Sequence, residues 1–160
     1  MELFRFDTLK ALHCLINILY ELYHRETSVT ANDGTWHHIC ASWLSSSGSW
    51  KFYKDGDLKE DHTNLKRGHT IRQGGTLVLG QEQDSFGGGF ETSQSFQGML
   101  SNVNVWEQPL TEAQIQQMSQ SCLLDGQDEG NVYKWPDFVF HGGAMLIKPS
   151  PCTPFKNLGR

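Results

Sequence analysis

The sequence predicts an all-β protein: a β-sandwich with one short helix, preceded by a helical segment at the N-terminus. Sixteen glycines and 11% aromatic residues suit a turn-rich sheet protein better than a helical bundle. Short runs rich in aromatic and β-branched residues recur between turn signals, and a capping box marks the helix. A chain of 160 residues matches one domain and is long enough to bury a core.

Residues 1–26 contain no glycine, and Leu9, Leu12, Leu15, Ile16, Leu19, Leu22 and Tyr23 follow the spacing of an amphipathic helix. The stretch 27–34 (TSVTANDG) is polar and reads as a linker. From Thr35 the pattern turns to strand. Trp36 to Leu44 is expected as a strand with Trp36, His38, Cys40 and Ser42 on one side. Ser45 to Ser49 is a turn, and Trp50 to Lys54 a second strand closed by the hairpin signal Asp55-Gly56. Thr76 to Gln81 is expected as a buried strand after Gly74-Gly75, and Gln94 to Trp106 as a long strand. Thr111 followed three residues later by Gln114 predicts the helix N-terminus, with Ala113, Ile115 and Met118 on its buried side. Strand character returns at Val132 to Phe140 and at Ala144 to Lys148.

Thirteen basic and eighteen acidic residues leave a net charge of −5, which argues against a nucleic-acid partner. The chain lacks an apolar run of about 18 residues, so no transmembrane helix is expected. Ala11 to Tyr20 is apolar, but His13 and Asn17 interrupt it and no small-x-small site follows, so no clear signal peptide is read. The four cysteines, Cys14, Cys40, Cys122 and Cys152, form no CxxC pair and disfavour a zinc site. Cys122 and Cys152 bracket the C-terminal region and read as a disulfide staple on it.

The chemically informative segment is Gly80 to Gln97 (GQEQDSFGGGFETSQSFQ). Glu82 and Asp84 lie two apart, on one side of an extended chain. Two adjacent carboxylates repel unless a cation or a shared proton relieves them. Gly87-Gly88-Gly89 lets the chain reverse, and Glu91 and Gln94 follow three apart, so one helical turn or a tight loop aims both at one point. Mixed hard oxygens suit calcium, and the absence of Cys and His from the segment disfavours zinc or copper. From spacing alone, a solvated acidic loop is the commoner case, since carboxylates usually face water.

Several motifs together resemble a pentraxin domain. They are Gly75 to Asp84, Gly87 to Phe90, Gln94 to Phe96, and His38-x-Cys40-x-Ser42-Trp43. Tyr53-Lys54-Asp55-Gly56, Asn102-x-Asn104-x-Trp106, the helix after Leu110, and Gly130-Asn131-Val132 with Trp135 add to them. The resemblance runs from Thr35 to Cys152, leaving 1–26, the linker 27–34 and a tail 153–160 outside the domain 35–152. It implies a lectin-like jelly-roll, here partial, that binds two calcium ions. Glu82, Asp84, Glu91 and Gln94 would be side-chain ligands, and Gln83 would give its main-chain carbonyl. The ions would bridge to a phosphate- or carbohydrate-bearing ligand, or to an extracellular protein. The resemblance further implies an extracellular, non-enzymatic recognition module capable of homo-oligomerisation. The pair Cys122 and Cys152 resembles neuronal-type or multidomain members. Two departures stand out: no segment before Thr35 matches the family's remaining Asp and Asn ligands or its apolar ligand pocket, and none clearly matches the partner cysteine of Cys40. Fewer ligands imply weaker calcium binding.

Two other function classes are distinguishable. A degenerate structural or adhesion module would lack a working calcium site. A glycoside hydrolase of lectin-like fold would use an E-x-D-x-x-E pattern, but Gly87 occupies the place of its last acid, which removes the second carboxylate of that mechanism. His37 and His38 point to opposite faces of a strand and are read as structural. Trp43, Trp106 and Trp135 are read as core, and Lys51, Lys54, Lys59, Lys66 and Arg67 as a solvated basic face.

Overall fold

A computed structural model describes the backbone at residues 9–12 and the structure of residues 28–71, 73–81, 83–121 and 129–151. Five strands form one sheet: β1 (Leu9–Leu12), β2 (Trp36–Leu44), β3 (Ser49–Lys54), β4 (Asp57–His62) and β5 (Gly98–Ser101). Their order is β4-β3-β2-β1-β5. β2, β3 and β4 are antiparallel neighbours, whereas β1 runs parallel to both β2 and β5. Among the described residues, one helix, α1 (Glu112–Ser119), and two 3-10 turns at Thr92–Gln94 and Trp135–Asp137 complete the regular elements.

β2 is the axis of the fold because both its faces are covered. Successive side chains of a strand point to opposite faces. Ile39, Ala41 and Trp43 pack with Trp50, Phe52, Ala31 and Leu65 on one side. Cys40 packs on the other with Tyr53, Trp106, Ile115 and Met118, beneath α1. The β2–β3 register sets Cys40 opposite Tyr53 and Ala41 opposite Phe52, so each face is continuous across the pair. The turn between β3 and β4 places Asp55 at φ 57° and Gly56 at φ 85°, the left-handed pair that suits a two-residue hairpin. Its Gly56 is required twice: an added Cβ would also sit 2.6 Å from Ser119 Oγ at the end of α1.

The expected strand over Trp36 to Leu44 and the hairpin at Asp55-Gly56 match the structure; the turn expected over Ser45 to Ser49 ends at Gly48, with Ser49 already in β3. Thr111 caps α1 as expected: Gln114 N donates to Thr111 Oγ1 and Thr111 N to Gln114 Oε1. Ala113 departs from its expected buried place: it is exposed, and Leu110 reaches the core beside Ile115 and Met118 instead.

Other expectations are corrected. Within the N-terminal segment read as helical, Leu9–Leu12 is a strand. Its pairing with two strands at once outweighs a helical periodicity that offers a single apolar face. The remaining residues of 1–26 lie outside the described ones. Thr76 to Gln81 is partly exposed and forms no strand, bending at Leu79-Gly80; its described pairing is the bridge of Gln81 to Ser95. Gln94 to Trp106 is broken into a 3-10 turn, β5 and a corner at Asn102, φ 52°. Asn104, fully buried, holds that corner by donating to Asn102 O at 2.8 Å and accepting from Gly130 N at 3.1 Å. Val132 to Phe140 makes one bridge, Tyr133 to Val105, before the Trp135–Asp137 turn. Ala144 to Lys148 is not a strand.

Candidate functional site

The segment after Gly80 is a closed loop. Phe96 N donates to Gly80 O at 2.9 Å, and Gln81 bridges Ser95, so the chain leaves and re-enters at one pairing. At the far end Ser85 and Gly88 exchange backbone hydrogen bonds of 3.2 and 3.1 Å around Phe86-Gly87. The glycine run thus makes the sharp reversal its composition predicts. Gly89, at φ 74°, lies against Asp84: an added Cβ there would meet Asp84 Cβ at 2.7 Å. Glu91 then caps the 3-10 turn Thr92–Gln94, with Gln94 N donating to Glu91 O at 3.0 Å.

This folding brings Gln83, Asp84, Glu91 and Gln94 onto one loop of the chain, while Glu82 lies outside the described residues. Asp84 and Glu91 are exposed, and Ser93 Oγ donates to one Glu91 oxygen at 3.3 Å. The Gln83 side chain is structural: Nε2 donates to Thr76 O at 3.1 Å and Oε1 accepts from Gly87 N at 2.9 Å. That leaves the Gln83 main chain as its route to any ligand. Gln94 Oε1 is buried and has no hydrogen-bond partner. A buried carbonyl oxygen without a donor costs free energy unless something electropositive faces it. Among the described residues no three His, Cys, Asp or Glu side chains gather into a metal-binding group. A calcium set of amide, main-chain and carboxylate oxygens does not need such a group, and the donors present are all hard oxygens. The loop therefore fits calcium chemically. Sequence reasoning passed over Gln81, whose Oε1 is likewise buried without a partner. Its signal was position, at the mouth of the loop directly before Glu82.

The staple expected between Cys122 and Cys152 falls on residues outside the described ones, and Cys40 is a buried free thiol. His37 is buried between carboxylates, with Nδ1 2.8 Å from Asp55 Oδ2 and Nε2 3.0 Å from Asp33. Trp43 and Trp106 are buried, but Trp135 is partly exposed and clusters with Phe138 and Phe140. In the basic stretch, Lys51 lies 3.6 Å from Asp61 and 3.4 Å from Glu112, and Lys59 lies 3.1 Å from Asp57. No helix among the described residues is long and apolar enough to cross a membrane.

The family model described as Pentaxin family matches residues 9–149. That match begins well before Thr35, the start of the sequence resemblance, and takes in β1. The rat sushi, von Willebrand factor type A, EGF and pentraxin domain-containing protein 1 is 46% identical over 110 residues, 69% of this chain and 3% of that protein. Human neuronal pentraxin-1 is 41% identical over 115 residues, 71% of this chain and 26% of that protein. The native heptameric SAP-like pentraxin from Limulus polyphemus superposes with a TM-score of 0.57 at 38% identity, over 68% of this chain and 49% of that one. The chain thus spans a small part of the curated relatives and about half of the solved one.

Proposed function

The chain belongs to the Pentaxin family, and from that membership we propose that it is a calcium-dependent recognition module of the pentraxin type. Membership supports a binding module with a lectin-like β fold. The observation that carries the calcium reading is the buried, unpartnered Gln94 Oε1 on a closed loop that also bears Asp84 and Glu91. Glu82, Asp84, Glu91 and Gln94 hold the ions through side chains, and Gln83 through its main-chain carbonyl. Bound calcium supplies positive charge that bridges the protein to a phosphate- or carbohydrate-bearing ligand or to an extracellular protein. The loop's own residues position oxygens and require no chemical turnover. The extracellular location, the Cys122–Cys152 disulfide and assembly into homo-oligomers are parts of the same reading. The relatives named above and the heptameric Limulus protein support it.

Isothermal titration and thermal melting with calcium test this reading. Calcium at about a hundred times its Kd adds about 2.7 kcal/mol to stability. A double variant, Glu82→Gln with Asp84→Asn, loses both the heat and the melting shift. Millimolar calcium that changes neither in the wild type overturns the reading and favours a structural module.

A further inference from the structure

The base of the loop holds one more oxygen that the ligand set above does not use. Gln81 Oε1 is buried without a partner, as Gln94 Oε1 is. The bridge pairs Gln81 with Ser95, the residue after Gln94, so both glutamines lie at the pairing that closes the loop. Gln83, two residues along, has both ends of its amide satisfied by Thr76 O and Gly87 N. The fold therefore engages the one loop glutamine it uses to shape the turn and leaves two amide oxygens bare. Buried polar groups are otherwise almost always paired, by protein or by ordered water. Calcium commonly retains waters in its coordination shell, and such waters donate strongly to nearby carbonyls.

We propose that Gln81 is a positioning residue for the calcium site, its Oε1 accepting a hydrogen bond from water carried by the ion. The inference rests on the calcium reading above. Residues that orient metal-bound groups cost about tenfold or more in metal affinity when removed. Gln81→Met keeps the side-chain length and removes the amide, whereas Gln81→Glu keeps an acceptor.

The test uses the full chain and compares melting in chelator with melting and titration in calcium. In chelator, Gln81→Met melts no lower than the wild type, because it removes an unpaired buried group. In calcium it shows a reduced melting shift and a Kd weakened about tenfold, while Gln81→Glu keeps the calcium response. An unchanged calcium response in Gln81→Met overturns this inference alone. Lower melting of both variants in chelator, with the calcium shift intact, assigns Gln81 a structural role and also overturns it. A wild type without any calcium response overturns the underlying reading and this inference with it.

Discussion

At the scale of single residues, the clearest energetic feature lies outside the candidate site. Asp55 Oδ2 sits 2.8 Å from His37 Nδ1, and its Oδ1 accepts from His38 N at 3.0 Å. One carboxylate thus ties the hairpin tip to the start of β2. Asp55→Ala leaves the His38 N–H and a ring nitrogen without their partner, and it places a residue without a capping side chain at positive φ. Urea unfolding should show a loss of about 1–3 kcal/mol. Asp33, on the other side of His37, is held well below the usual carboxylate range. The Thr35 backbone N–H is the main cause, followed by the Thr35 hydroxyl and His37. A depressed native pKa means the unfolded chain takes up protons first as pH falls. Stability from Asp33 is therefore complete above the ordinary carboxylate pKa of about 3.9 and fades as pH drops below it. Asp33→Asn should melt lower than the wild type at pH 7, with the gap closing on acidification. A gap that widens in acid would contradict this assignment.

At the scale of elements, local signals succeed where an element is defined by its own chain. The hairpin at Asp55-Gly56 and the capping box at Thr111 and Gln114 are both visible in the sequence because each is closed by neighbours two to three residues apart. The strands expected at Thr76 to Gln81 and Ala144 to Lys148 fail because a strand is defined by its partner, and composition does not name one. The loop of the candidate site falls between these cases. Its glycine reversal and the Glu91 to Gln94 turn are legible in the spacing, while the orphaned oxygens of Gln81 and Gln94 depend on burial. The contact between hairpin and helix was not legible either, since Gly56 and Ser119 lie far apart in sequence. Thr111→Ala should cost about 1 kcal/mol through the lost cap. Gly56→Ala should cost more than an ordinary turn substitution, because a Cβ 2.6 Å from Ser119 Oγ must displace that hydroxyl, which donates to Gln116 O at 2.7 Å, while the backbone keeps φ 85°. Thermal melting of the two variants, alone and combined, reads both effects; strict additivity would mean the helix cap and the hairpin contact act independently.

At the scale of the whole molecule, the decisive element is the four-residue strand β1. β1 sets Lys10 opposite Trp36 and also opposite Met99, so it joins the antiparallel β2-β3-β4 unit to β5, which leads into the corner at Asn102. Helical periodicity in residues 1–26 hides this, because leucines spaced for a helix can equally fill extended positions. The family match from residue 9 agrees with a segment that belongs to the fold rather than one appended to it. Without β1, β2 and β5 would each present unpaired edges in the middle of the sheet. Ala11 pairs with both His37 and Leu100. Ala11→Pro deletes the central N–H, and proline is not tolerated inside a sheet. The expected loss is about 1–3 kcal/mol for the orphaned acceptor. The sharper readout is hydrogen exchange, which should quicken at 36–38 and 98–101 together while protection across β3 and β4 persists. Faster exchange confined to residues near 11 would mean that β1 does not join the two halves of the sheet.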